Sequence, residues 1–287
     1  MSSSVSAAAT APAPLFRLRR TGGQFAAFLG DLLKSREMLV TMIRRDFTDR
    51  YLGSCLGLIW AFLHPVATIG LMWFVFQVGF KAQPMGNYPF ILWLSVGIVS
   101  WNFFAEGSTR AASSVLDRAF IVKKVPFRTS LLPLVSIGSA LVVHVLFLGI
   151  LLAMFASYGH YPGLHFLQLP YYLGAVLFLL VGLSWITSSL TVFLRDVPQV
   201  VSLLLQIGFW STPVFWNPGM LPPEFQQWLK LNPILHIVDG YRDCFLGQAW
   251  FWEHGQTAAC FWTAAIAAFV VGGLLFRRLR PHYADVL

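Results

Sequence analysis

The sequence predicts an all-α integral membrane protein built as a six-transmembrane-helix bundle, and three observations predict it. First, 57% of the 287 residues are hydrophobic and 11% charged, with 26 Phe and 11 Trp. A soluble domain carries about 25% charged residues, and a core of this size cannot hide so much apolar surface from water, so lipid must cover part of it. Second, six stretches are apolar over about the 20 residues needed to cross a bilayer, or nearly so: roughly 56–79, 89–106, 131–156, 171–193, 199–216 and 257–276. Third, 17 of the 20 Lys and Arg alternate onto one side of such a bundle, leaving only Lys81, Lys230 and Arg242 on the other. The positive-inside rule makes the rich side cytoplasmic, with both chain ends on it.

Residues 1–23 read as a disordered cytoplasmic tail: Met1 to Pro14 are rich in Ser, Ala and Pro, uncharged, and lack the basic-then-apolar order of a signal peptide. In 24–50, Phe25, Phe28, Leu29, Leu32 and Leu33 recur at helical spacing among Asp31, Lys34 and Arg36. This predicts an N-terminal amphipathic interface helix on the cytoplasmic face, with a soluble lead-in helix as the alternative. The permease region, 51–280, then holds the six spans. The connection 107–129 is longer than a bundle turn requires, its Ala, Leu and Arg content favours helix, and Pro126 marks a break. From charge alone it reads equally as a helix that docks a soluble partner or as a topogenic basic loop.

Spans four and five are separated only by Arg195-Asp196-Val197-Pro198, and Pro198 fits a first helical turn. The extracytoplasmic segment 217–256 contains Pro222-Pro223 and Asn232-Pro233, each a helix start. Its pieces are too short to span, which predicts short re-entrant helices before span six and a translocation path nearby. Pro233, Asp239, Tyr241 and Arg242 are its candidate site residues.

The net charge of +8 follows from the cytoplasmic excess and calls for no nucleic-acid partner. No G-x-x-x-x-G-K-[ST] loop, Rossmann glycine pattern, H-E-x-x-H or G-x-S-x-G is present. Cys55, Cys244 and Cys260 show no metal-ligand spacing. These absences weigh against an enzyme, and ATP, if used, must be hydrolysed by another chain; no catalytic residue, metal or cofactor is expected here. The confident span interiors hold no Asp, Lys or Arg, which argues against ion-coupled transport. His144, in span three, fits an interhelical hydrogen bond near Ser136 and Ser139. Trp60, His64 and Thr68 form one stripe of span one, and Gln199, Ser202, Gln206 and Trp210 a comparable stripe of span five. Aromatic faces stack on sugar rings and amides bond hydroxyls, so both stripes are channel-lining candidates; helix–helix glue and lipid-facing aromatics are the alternative.

The run Arg44-Arg45-Asp46-Phe47-Thr48-Asp49-Arg50-Tyr51 through Trp60 and His64-Pro65 resembles the opening of type-2 ABC permeases that export polysaccharides, the Wzm/TagG-like subunits for O-antigen, teichoic acid or capsule. The resemblance continues through Trp101-Asn102-Phe103-Phe104, Lys123-Lys124-Val125, Leu194-Arg195-Asp196-Val197, Thr212-Pro213-Val214-Phe215, Leu231-Asn232-Pro233 and Tyr241-Arg242-Asp243 with Gly247. After Lys124 the sequence departs from the family pattern, with Pro126 before Phe127 and Arg128-Thr129-Ser130 following. The resemblance implies a homodimer in the bacterial inner membrane, with two separate ATPase subunits that hold ATP and Mg2+, and a lipid-linked polysaccharide as cargo. It implies that the connection between spans two and three is a cytoplasmic coupling or gate helix. Arg36, Arg110, Asp117 and Arg118 then become ATPase-coupling candidates. It further implies a channel at the dimer centre bordered by spans one and five. The chain ends soon after span six, so no C-terminal domain for recognising a polymer end is expected. A permease for a small hydrophobic compound or lipid is the alternative within transport; a membrane-bound glycosyl- or acyltransferase is the alternative from another class.

Overall fold

A computed structural model describes residues 36–51, 57–81, 87–120 and 129–286. The candidate interface stripe from Phe25 to Leu33, the tail 1–23 and the Lys123-Lys124 motif lie outside the described residues. The chain divides into two compact units, Met1–Val40 and Thr41–Leu287, and the second of these is the helical bundle.

The helices are α1 (Arg36–Tyr51), α2 (Gly57–Trp73, continued by a π-helical turn Phe74–Gly79), α3 (Phe90–Ser113), α4 (Leu132–Ser157), α5 (Leu169–Phe193), α6 (Val197–Ser211), α7 (Pro223–Leu229), α8 (Pro233–Leu246), α9 (Gly255–Leu279) and α10 (Tyr283–Val286). Five of them, α4 to α8, carry proline in the first two positions, where the missing N–H is one that no helical partner would have satisfied. Asn232 caps α8 by accepting from the Ile234 N–H at 3.0 Å. At the other end Gly247 adopts the left-handed conformation (φ 65°) and its N–H donates to the Asp243 carbonyl at 2.9 Å. A side chain would strain that stop.

Among the described residues, four helical segments are long and apolar enough to cross a membrane: Phe90–Ser113, Thr129–Ser157, Leu164–Phe193 and Gly255–His282. Val66–Gly79 and Val197–Ser211 are shorter apolar helices. Two differ in extent from the apolar runs of the sequence. Helix α3 continues to Ser113, beyond residue 106, because Arg110 pairs with Glu106 one turn back at 2.5 Å and Ala111 and Ala112 are fully buried. Helix α6 stops at Ser211, short of residue 216, because Pro213 forces Thr212 into an extended conformation (ψ 137°).

Helix α3 is the axis of the bundle, with 78% of its apolar window buried, against 22% for α9 at the periphery. Around it pack α4, α5 and α8, through Phe103, Phe147, Tyr172, Leu180, Ile237 and Phe245 among others. α9 lies along α5, with Phe178 stacked on Phe269 at 4.7 Å. By contrast α6 has no buried residue, and α2 exposes Leu63, Val66, Leu71 and Phe74. In water this would be an error of folding; in a bilayer it marks faces open to lipid or to another protein.

Candidate functional site

Polar groups gather at the two ends of the bundle. At the end where α1 and the α3–α4 connection meet, Arg118 reaches three elements at once. Its Nη2 pairs with the Asp46 carboxylate of α1, and its Nη1 donates to the Ser114 carbonyl at 3.3 Å and to Ser136 Oγ of α4 at 3.2 Å. Both partners of the ion pair are largely withdrawn from solvent, at 16% and 13% exposure, and Arg50 stands 4.0 Å from the same carboxylate. Ser139 Oγ donates to the Ile43 carbonyl at 3.3 Å, and Ile43 packs where a Gly138 side chain would otherwise project. These contacts bind α1 to α4 and to the connection. Of the other coupling candidates, Arg110 pairs with Glu106 inside α3, Asp117 accepts from Ser113 Oγ at 2.6 Å, and Arg36 is the exposed first residue of α1.

At the opposite end, α8 is almost wholly buried yet carries Asp239, Arg242 and Asp243 on one face. The Arg242 guanidinium lies 3.5 Å over the Trp93 ring of α3, donates through Nη2 to the Val214 carbonyl at 2.7 Å and through Nη1 to Asp239 Oδ1 at 3.3 Å. Gly97 makes room for it: a Cβ there would stand 2.8 Å from Nη2 and 2.6 Å from the Val214 oxygen. Asp243 Oδ2 lies 2.7 Å from His254 Nε2, a bond that raises the imidazole above its ordinary value and favours the cation. A cleft of about 350 Å³ opens beside these groups. Deeper in, Tyr241 Oη is 3.0 Å from His144 Nε2, and His144 stacks on Phe103 at 4.3 Å. The interhelical partner of His144 is thus Tyr241 on α8. Pro233 opens α8 and Ile234 follows it into the core.

The two stripes are placed differently. Gln199, Ser202, Gln206 and Trp210 all lie on exposed positions of α6, with Trp210 58% exposed and edge-on to Phe215 at 5.0 Å. The Ser202 hydroxyl donates to the Pro198 carbonyl of its own helix at 2.9 Å. Thr68 is half-buried on α2, and the side chains of Trp60 and His64 lie outside the described residues. A separate apolar groove of about 240 Å³ runs between α3, α5 and α6, lined by Trp101, Phe104, Leu183, Leu204 and Leu205. Among the described residues no group of three or more His, Cys, Asp or Glu could hold a metal ion.

Sequence reasoning missed Trp93, Asn217, Asp243, Gln248 and His254. Asp243 was within reach, since it adjoins Arg242 on a helix with few other charges. Nothing local marks Trp93 or Gln248, which join the site only through packing.

A helical bundle of this apolarity, with ion pairs at its ends, defines an integral membrane protein. The chain belongs to the ABC-2 type transporter family, whose pattern it matches over residues 37–246. It is 30% identical over 261 residues to an O-antigen export system permease protein of Myxococcus xanthus, covering 89% of this chain and 97% of that one. The corresponding permease of Klebsiella pneumoniae is 27% identical over 253 residues (88% and 95%). A capsule polysaccharide export inner-membrane protein of Neisseria meningitidis is 20% identical over 229 residues (77% and 84%).

Proposed function

We propose that the chain is the permease subunit of an ATP-driven exporter that carries a lipid-linked cell-surface polysaccharide across the inner membrane. The observation that carries this reading is the similarity to O-antigen export permeases over 88–89% of this chain. Hydrolysis belongs to a separate ATP-binding subunit, since the sequence lacks the loop that cradles ATP phosphates.

In this reading the four long helices are joined by α2 and α6 to make six crossings with both termini cytoplasmic. Fifteen residues of α6 rise only about 22 Å, less than the roughly 30 Å of hydrocarbon, so α6 crosses with the help of the non-helical run Thr212–Trp216. The Arg118–Asp46 end then faces the ATPase, and the Arg242 end faces outward. α1 is the interface helix, the α3–α4 connection the coupling element, and α7 and α8 the re-entrant pair. Two copies pair through the faces of α2 and α6 that the single chain leaves exposed, which encloses a path between them for the sugar and leaves a lateral opening for its lipid.

The test is a deletion strain complemented with this chain and its ATPase, with polysaccharide measured at the cell surface. Restored surface polymer is expected from the wild type and none from the empty vector. Surface polymer unchanged by the deletion, or proteoliposomes that move a hydrophobic dye and never an oligosaccharide, would overturn the reading. The second outcome would favour small hydrophobic cargo and the apolar groove beside α6.

A further inference from the structure

The cleft at the outer end of α8 carries more chemistry than holding a helix in place requires. Charged side chains on a helix packed inside a membrane protein are costly and persist where they pair or serve a ligand. Asp239, Arg242 and Asp243 share one face of α8. Arg242, 3% exposed, is held by Trp93, the Val214 carbonyl and Asp239, yet its Nε is buried with no hydrogen-bond partner. Asp243 is committed to His254. Asp239 is not: its one bond to Arg242 is long at 3.3 Å, and the side chain is 36% exposed. It lines the cleft together with the side chains of Asn217 and Gln248.

We propose that this cleft is a binding site for one neutral sugar unit of the exported polymer, on the outer face of each protomer. The ligand class follows by elimination. Two carboxylates beside one guanidinium and one imidazole give no excess positive charge, so a phosphate or diphosphate finds no net attraction. No metal-holding group of His, Cys, Asp or Glu exists among the described residues. An apolar ligand would offer nothing to the loosely held Asp239 carboxylate, the Gln248 amide or the buried Arg242 Nε. A neutral polyol satisfies them, because each hydroxyl both donates and accepts: Asp239 accepts from hydroxyls, Arg242 donates, and the Gln248 amide does either, beside Asn217, whose Oδ1 accepts from the Gly219 N–H. The volume, about 350 Å³, falls within the roughly 300–1,000 Å³ of small-ligand sites and suits one ring with its waters. Because the cleft is walled by both α3 and α8, through Trp93 and Arg242, an occupant touches both helices and ties its presence to their relative position.

The identity of the ligand rests on the polysaccharide-export reading; the existence of a polyol site does not. The probe is the oligosaccharide released by mild acid from the host's own surface polymer. It is titrated into the permease–ATPase complex in lipid nanodiscs and followed by saturation-transfer NMR. Binding to the wild type is expected, with at least tenfold weaker binding to both Asp239→Asn and the exposed Gln248→Ala, and no change for Glu224→Gln on α7, outside the cleft. Gln248→Ala guards against a folding defect in the carboxylate variant. Equal affinity of wild type and both variants overturns the site, as does absence of binding by a complex that still exports polymer. A deletion strain that keeps its surface polymer overturns the export reading instead, and then a binding response that is still lost in both variants would stand as evidence for the polyol site alone.

Discussion

Tyr241 and His144 are joined by a single 3.0 Å hydrogen bond between residues 97 positions apart, and both are buried. Tyr241→Phe keeps the ring and removes the hydroxyl, leaving His144 Nε2 with no acceptor or donor in the protein interior. A loss of about 1 kcal/mol is expected, since interhelical hydrogen bonds in membrane proteins average less than buried pairs in soluble ones. A double-mutant cycle with His144→Phe, read by unfolding in detergent, checks it; additive effects would show the bond contributes nothing. His254 offers a second test. Its pKa is raised by the bond to Asp243 against the opposing effect of burial, with Asp239 and Glu253 also raising it, while Arg242 and His236 stand on α8 as further positive or titratable groups. A raised value means the stabilisation is complete below the ordinary histidine pKa of about 6.5 and is lost as pH climbs through the folded value. Tm should therefore fall as pH rises above the ordinary histidine value of about 6.5 for the wild type, and the slope should flatten in His254→Gln. At this scale the sequence was only half legible. That His144 would bond across helices could be read from its place in an apolar span; that the bond reaches α8 depends on how α8 is rotated, which no local pattern encodes.

Helices were easier to foresee, because the signals that start and stop them are local. Pro223, Pro233 and Asn232 act within one turn of where they sit, and so does Gly247. Contacts between helices depend on less visible features. Gly182 of α5 and Gly272 of α9 let two backbones touch: a Cβ on Gly182 would lie 2.5 Å from the Phe269 nitrogen, and one on Gly272 would strike the Gly182 carbonyl. Small residues allow such approach in membranes, where dispersion and packing rather than water drive association. Gly182→Ala must push α9 outward. A loss of roughly 1–3 kcal/mol is expected from overpacking, seen as a lower Tm; an unchanged Tm would show that α9 is free to shift. The contact of α1 with the α3–α4 connection is of another kind. Removing the charge in Asp46→Asn leaves Arg118 withdrawn from water without its counter-charge, a loss on the order of 3 kcal/mol where a pair is fully buried and less here. The expected functional result is partner ATPase activity that persists while export drops. Export at the wild-type level in that variant would relieve Arg118 of any part in coupling.

For the whole molecule, the apolar runs carried the all-helical membrane class and the four long segments, because bilayer thickness acts on composition and needs no tertiary detail. The candidate stripes were harder to read. The polar positions of α6 look outward from a single chain, and their role depends on what covers them. The chain exposes Val200, Leu203, Leu204, Ile207 and Trp210 together on α6, a helix with no buried residue of its own. Lipid could cover the apolar members at no cost, but it gives nothing to Gln199 and Gln206, whose amides are expensive in hydrocarbon without a partner. A second protomer enclosing a hydrated path satisfies both kinds of residue. The pair Leu203→Cys and Leu71→Cys, the latter on the exposed face of α2, should therefore cross-link in native membranes under mild oxidation and run as a dimer. Ile266→Cys, on the exposed face of α9, should stay monomeric under the same treatment. The reverse pattern, with α9 cross-linking and the α2–α6 pair silent, would move the interface to the other side of the bundle and remove Gln199, Gln206 and Trp210 from any path. If the interface holds, Trp210→Ala should reduce surface polymer while leaving the ATPase activity of the complex largely intact, because the indole lies on the route and away from the Arg118–Asp46 contact.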